Sequence, residues 1–104
     1  MITLPPKLAA VVESVGPPGS EGYFVLRGPA AFKALGQSVS HGYALVAAKI
    51  HPSLFSLGGR AMGMTVHEVA ILNRARVADC DDDEMKILSA WVEEQRPVLT
   101  ETAA

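Results

Sequence analysis

Residues 57–76, LGGRAMGMTVHEVAILNRAR, join a glycine-rich segment to the best-defined helix start in the chain. Thr65 and Glu68 have the spacing of a capping box, in which each side chain accepts a hydrogen bond from the other residue's backbone amide. Met64 and Val69 have the positions of a hydrophobic staple, in which an apolar residue before the cap packs against one in the first turn of the helix. The sequence therefore predicts a helix that starts at Thr65 and continues to about Arg76.

Composition favours one folded domain. The chain has 104 residues, of which 49% are hydrophobic and 19% are charged, as expected for a globular protein rather than a disordered one. Its single cysteine, Cys80, excludes an intrachain disulfide, and the aspartates that follow should raise its pKa. No secretory signal is visible at the start, and the most apolar run, residues 43–57, is interrupted and too short for a membrane span. We expect a cytoplasmic protein with no membrane partner.

Helical spacing of apolar residues recurs along the rest of the chain. It predicts helices over about residues 7–15, 29–40, 43–50 and 82–95, in addition to the helix at 65–76. The last two helices should form a hairpin that packs on the first three. Pro97 is expected to end the final helix and to leave residues 98–104 as a loose tail within the single domain 1–104. The predicted fold class is mainly α, a small domain of about five short helices.

One alternative stays open at the N-terminal end. Residues 7–15 are rich in valine, and residues 23–26 form a short apolar run after the loop PPGSEG. These two segments could pair as a short β-hairpin instead of forming a helix and a loop.

The predicted core combines the apolar faces of these helices. Its members are Leu8, Val11, Val12, Val15, Phe32, Leu35, Val46, Ile50, Leu54, Val69, Leu72, Leu88 and Trp91.

The charge distribution divides the chain. Residues 1–76 hold seven Lys/Arg and three Asp/Glu, a net charge of +4, whereas residues 77–104 hold two and eight, a net charge of −6. Such a split can mark a polar interaction surface, although a solvated acidic helix at the C-terminus is the simpler explanation.

Residues 57–76 also resemble a helix-turn-helix, with Gly63 at the turn and the helix after Thr65 as the recognition helix. In that interpretation, nucleic acid would be contacted by Arg60, Thr65, His67, Arg74 and Arg76. Two features oppose it: Gly58 and Gly59 are poor helix starters, and the reading face would be partly apolar.

No motif predicts a catalytic, cofactor or metal site. The loop GGRAMG could bind an anion at a helix start but lacks the lysine and hydroxyl of a P-loop. His41, His51 and His67 share no metal-ligand spacing, and the acidic run DDDE is explained by helix capping. An active site assembled from distant residues would not be visible in the sequence.

Two functions follow as hypotheses. The first is a non-enzymatic protein-interaction or assembly module that self-associates, because apolar content is high and the charge split could dock one copy against another. The alternative is a helix-turn-helix DNA-binding protein with residues 65–76 as its recognition helix.

Overall fold

Five α-helices and a three-stranded antiparallel sheet make up the computed structural model, which describes the backbone of residues 1–103 and the side chains of residues 1–96. The elements are α1 (Pro6–Val15), a 3-10 turn (Ser20–Tyr23), β1 (Val25–Arg27), α2 (Gly28–Ala34), α3 (Val39–Ala47), β2 (Phe55–Gly58), β3 (Ala61–Thr65), α4 (Val66–Val77) and α5 (Asp82–Ala103). A small, mainly helical domain is therefore confirmed, with a sheet that was not predicted in this form.

The alternative of an N-terminal β-hairpin is wrong. Residues Pro6–Val15 form α1, because Pro6 suits a helix start and the apolar residues recur at helical spacing. The short apolar run contributes β1, but its partner is β3, with Val25 opposite Thr65 and Arg27 opposite Gly63.

The predicted helix-turn-helix geometry is also wrong. Strands β2 and β3 form an antiparallel hairpin, with Phe55 opposite Gly63 and Ser56 opposite Met62. Gly58 and Gly59 have φ values of 99° and 56°, a left-handed conformation that suits a tight strand reversal. The segment that should have supplied the first helix and the turn of the motif is thus extended. Strand β3 lies at the centre of the sheet, in the order β1-β3-β2.

The helix predicted over residues 29–40 is shorter than predicted, and residues 39 and 40 belong to the next helix. Helix α2 ends at Ala34, and Gly36 takes a left-handed φ of 72°. Helix α3 then begins at Val39, earlier than predicted, because the hydroxyl of Ser38 accepts a hydrogen bond from the amide of His41 and caps it.

The prediction that Pro97 ends the last helix is wrong, since α5 continues to Ala103. The φ angle of proline is compatible with a helix, so an interior proline, which removes one hydrogen bond and crowds the preceding turn, can kink a helix without ending it. The predicted loose tail is therefore helical over residues 98–103, and residue 104 lies outside the described residues. Helices α4 and α5 contact each other across a short turn, and α4 also contacts α1 and α2.

The predicted core is confirmed. Seven of the thirteen residues are buried, and the other six are partly buried and pack against them. The buried cluster also includes residues that were not predicted: Ala31, Met64, Ile71, Ala75, Cys80, Met85 and Val92. Burial raises the pKa of the Cys80 thiol, in the direction predicted from its acidic neighbours.

Gly42 tests how tightly α2 and α3 pack. A Cβ at this position would overlap the fully buried ring of Phe32. We expect Gly42→Ala to lower the free energy of unfolding by roughly 1–3 kcal/mol, even though alanine favours a helix, because the ring must move within a close-packed core. Urea denaturation measures the change.

Gly19→Ala is the matched control, since a Cβ there meets no atom within 4 Å and φ is −78°. Equal stability of the Gly42→Ala and Gly19→Ala variants would contradict this packing account.

Candidate functional site

An apolar groove of about 540 Å³ lies between α1, α4 and α5. This volume is within the range of roughly 300–1,000 Å³ typical of binding cavities in proteins. The groove is lined by Leu4, Ala9, Val12, Glu13, Gly16, Pro17, Pro18, His67, Glu68, Ile71, Trp91, Val92 and Gln95. We call this feature the groove.

Helical periodicity places the apolar wall residues of the groove. Val12 of α1, Ile71 of α4 and Trp91 of α5 face the same space from three helices. Trp91 is only half-buried, so part of its ring is available to an occupant. Ala9 leaves space on the α1 side of the groove because its side chain is a single methyl group.

The carboxylate of Glu68 is the most constrained polar group at the groove. Its side chain is 6% exposed. Oε1 accepts a hydrogen bond from the amide of Thr65 at 2.8 Å, while the Thr65 hydroxyl accepts from the Glu68 amide at 3.1 Å, which confirms the predicted capping box. Oε2 accepts from Nε of Arg96 at 2.7 Å. Both oxygens of this carboxylate therefore have structural partners.

Arg96 joins α5 to the sheet beside the groove. Its Nη1 donates to the carbonyl of Ser53 at 2.8 Å, and its guanidinium lies 5.1 Å from the centre of the Phe55 ring. A cation at this distance from an aromatic face is attracted to it. The Glu68–Arg96 pair thus holds the start of α4, the middle of α5 and the start of β2 in one arrangement.

His67 closes one end of the groove. Its Nε2 lies 2.9 Å from the carbonyl oxygen of Gly16, just after α1. Because a carbonyl oxygen only accepts, the proton of the neutral ring lies on Nε2, and Nδ1 is left as an acceptor. The contact holds the loop after α1 against the first turn of α4.

The rim of the groove is acidic. Glu13 is exposed at the mouth, and Gln95 lies on the α5 side. Among the described residues that line the groove, the charged ones are both carboxylates, and Arg96 neutralises Glu68. The mouth therefore carries the net negative charge of Glu13, which favours an occupant with a basic group beside its apolar part.

The five residues predicted to contact nucleic acid are distributed over α4 and the hairpin turn. Thr65 and His67 make the structural contacts described above at the start of α4. Arg74 and Arg76 lie about 15 Å away at the other end of this helix. Arg76 also pairs with Asp82 at 3.9 Å, and Arg60 lies in the turn between β2 and β3.

His51 is a buried titratable group outside the groove. It is 1% exposed, and neither ring nitrogen has a hydrogen-bond partner. Burial, followed by the charges of Arg76 and His41, lowers the pKa of His51 to about 4. The described residues contain no group of three or more His, Cys, Asp or Glu side chains placed to hold a metal ion.

Comparison with known proteins adds no relative. The chain matches no family model, no curated protein and no solved structure. Within the described part of the chain, no helix is both long and apolar enough to cross a membrane.

Sequence reasoning missed the groove as a site, although it identified several of its residues. Val12 and Trp91 were assigned to the core, and they do pack against it while also lining the groove. The available signal was Ala9, a small residue among the larger apolar residues of α1. Nothing in the sequence indicated that α1 and α5 both lie beside the part of α4 that lines the groove.

The Glu68–Arg96 pair and the capping box make separable contributions to stability. We expect Thr65→Ala to lower the free energy of unfolding by about 1 kcal/mol, because one cap hydrogen bond is lost. Glu68→Ala should cost on the order of 3 kcal/mol, because it removes the reciprocal cap bond and also the carboxylate beside the partly buried Arg96. Urea denaturation measures both values, and equal losses for the two variants would contradict this role of Glu68.

His51 should make stability depend on pH. Its folded pKa of about 4 lies below the usual 6.5, so the unfolded chain binds the proton more readily. The stability that it contributes is complete above pH 6.5 and falls as the pH drops from about 6.5 to about 4, by up to about 3 kcal/mol.

Thermal unfolding between pH 4 and pH 7 tests this dependence. The variant His51→Leu should flatten the profile in this interval, whereas His41→Gln, a change at an exposed histidine, should keep most of it. An unchanged slope in His51→Leu would contradict the assignment.

Proposed function

We propose that the chain is a non-enzymatic protein-interaction module that self-associates, and that the groove is its docking surface. The observation that carries this proposal is the groove itself, an apolar concavity of about 540 Å³ on a domain of 104 residues. Concavities of this volume are typical of binding sites.

The polar groups at the groove support docking rather than chemistry. Both oxygens of Glu68 accept structural hydrogen bonds, and Nε2 of His67 is bonded to the Gly16 carbonyl. Groups with these partners fix the shape of the groove. The partly buried Trp91 ring also suits docking, because aromatic residues are enriched at protein interfaces.

Charge supports association between copies. The net charge is +4 over residues 1–76 and −6 over residues 77–104, so segments of opposite sign are available for contacts between two copies. Complementary charge raises the rate of encounter and selects the orientation of docking.

The DNA-binding alternative depended on a helix-turn-helix over residues 57–76. The hairpin of β2 and β3 occupies the place of its first helix and turn. Of the arginines assigned to it, Arg74 and Arg76 lie in the last turn of α4 and Arg60 lies in the hairpin turn. We therefore do not propose it further.

Light scattering on a size-exclusion column tests self-association across micromolar to millimolar concentrations. We expect the wild-type mass to rise above that of one chain as concentration increases. Ala9→Phe places a ring in the groove, so its dissociation constant should increase at least about tenfold.

Ala10→Phe is the matched control, because Ala10 is the adjacent exposed residue on α1 and does not line the groove. Circular dichroism establishes that both variants are folded. A wild-type chain that stays monomeric throughout, or an Ala9→Phe variant that associates like wild type, would contradict the proposal.

A further inference from the structure

We propose that the chain forms a two-fold symmetric dimer in which Phe24 of each copy occupies the groove of the other. This inference rests on the proposed function and names the occupant of the groove. Three observations carry it. The Phe24 side chain is exposed, its backbone is close to residues that line the groove, and charged residues lie beside both Phe24 and the groove.

Phe24 has the properties of an interface anchor. Its side chain is 63% exposed, and the adjacent Tyr23 and Val25 are 48% and 43% exposed. The backbone of Phe24 is nevertheless fixed, since its amide donates to the carbonyl of Glu21 at 3.1 Å and its carbonyl accepts from the amide of Val66 at 2.8 Å. A large aromatic side chain on a fixed backbone loses little conformational freedom when it is buried, which favours binding.

The anchor and the groove lie side by side. Val66, which bonds to Phe24, directly precedes the groove residues His67 and Glu68. Gly22 also packs on the groove wall, because a Cβ there would meet Pro18 at 2.8 Å and His67 at 3.4 Å. Phe24 is thus two residues from a segment that contacts the groove, while its own ring is mostly in solvent.

This arrangement favours a closed pair. In a two-fold interface, the same patch serves both copies, so a contact between residue i and residue j is made twice. Because Phe24 is linked to the groove wall through Gly22 and Val66, a single two-fold rotation can satisfy the anchor and the groove of both copies. A filament would instead result from a rotation between copies that does not close.

A basic residue near Phe24 and an acidic residue of the groove lining also have complementary charges. Arg27 is exposed at the end of β1, about 10 Å along the extended chain from Phe24. Glu13 is exposed at the mouth of the groove, whose other charged lining residue, Glu68, is paired with Arg96. Glu21 and Arg27 are the exposed charges on either side of Phe24, and Arg27 is the one with the sign to pair with the partner's Glu13.

Sedimentation velocity on wild type, Phe24→Ala and Ala9→Phe tests the anchor. Phe24→Ala should increase the dimer dissociation constant at least about thirtyfold, because two buried aromatic contacts are lost. Val77→Ala is the control, since Val77 is 80% exposed at the far end of α4. Wild-type affinity in Phe24→Ala would overturn this inference, and if Ala9→Phe were monomeric in the same experiment, the proposed function would stand.

A mixing experiment tests the symmetry. Ala9→Phe retains the anchor but has a filled groove, whereas Phe24→Ala has an open groove and no anchor. Each alone should be monomeric, and an equimolar mixture should form a heterodimer of intermediate affinity through one restored contact. If wild type dimerises but the mixture stays monomeric, insertion of Phe24 into the partner's groove is overturned, while self-association of the chain still holds.

Charge exchange tests the flanking pair. Arg27→Glu and Glu13→Arg should each weaken the dimer about fivefold, the range of an exposed ion pair. The double variant carries the reversed pair at both sites and should recover wild-type affinity. Failure of the double variant to recover, when both single variants are weakened and folded, would overturn this placement of Arg27 against Glu13.

Discussion

The position of the groove depends on the carboxylate of Glu68. One oxygen closes the capping box that turns β3 into α4, and the other binds Arg96 on α5. Arg96 in turn holds the segment before β2 through the Ser53 carbonyl and the Phe55 ring. Two charges taken partly out of water are stabilising only when each has good partners, and here each has several. The pair therefore ties α5 to the start of α4, the two helices that line the groove together with α1.

Local signals in the sequence predicted most of the helices and the core. The capping box at Thr65 and Glu68 is complete within four residues, so no distant partner was needed to recognise it. The thirteen predicted core residues follow helical spacing, and all belong to the buried cluster or pack on it. The boundaries near Gly36 and Pro97 were wrong because each residue allows two outcomes. Glycine can weaken a helix or end it, and proline can end a helix or lie within one.

The sheet and the groove could not be predicted in this way, because both depend on distant pairs. Val25 lies opposite Thr65, forty positions further along the chain, and each strand has at most five residues. Gly58 and Gly59 fit a helix end as well as a hairpin turn, and pairing with β3 decides between them. The groove draws on α1, α4 and α5, so residues such as Val12 and Trp91 were recognised only as apolar helix faces. In the sequence, His51 was recognised only as a histidine without metal-ligand spacing, because its burial arises from the packing of the loop after α3.

Trp91 provides the most direct measurement of whether the groove is a docking surface. It is the single tryptophan of the chain, it lines the groove and it is half-buried. Its emission spectrum can be recorded while the protein is diluted from millimolar to nanomolar concentration, with circular dichroism as a check on folding. If a second copy covers the groove, the emission maximum will shift to longer wavelength on dilution as the ring becomes exposed to water, and the shift will be absent in Ala9→Phe. An emission maximum that is the same at every concentration in the folded wild-type chain would contradict the account.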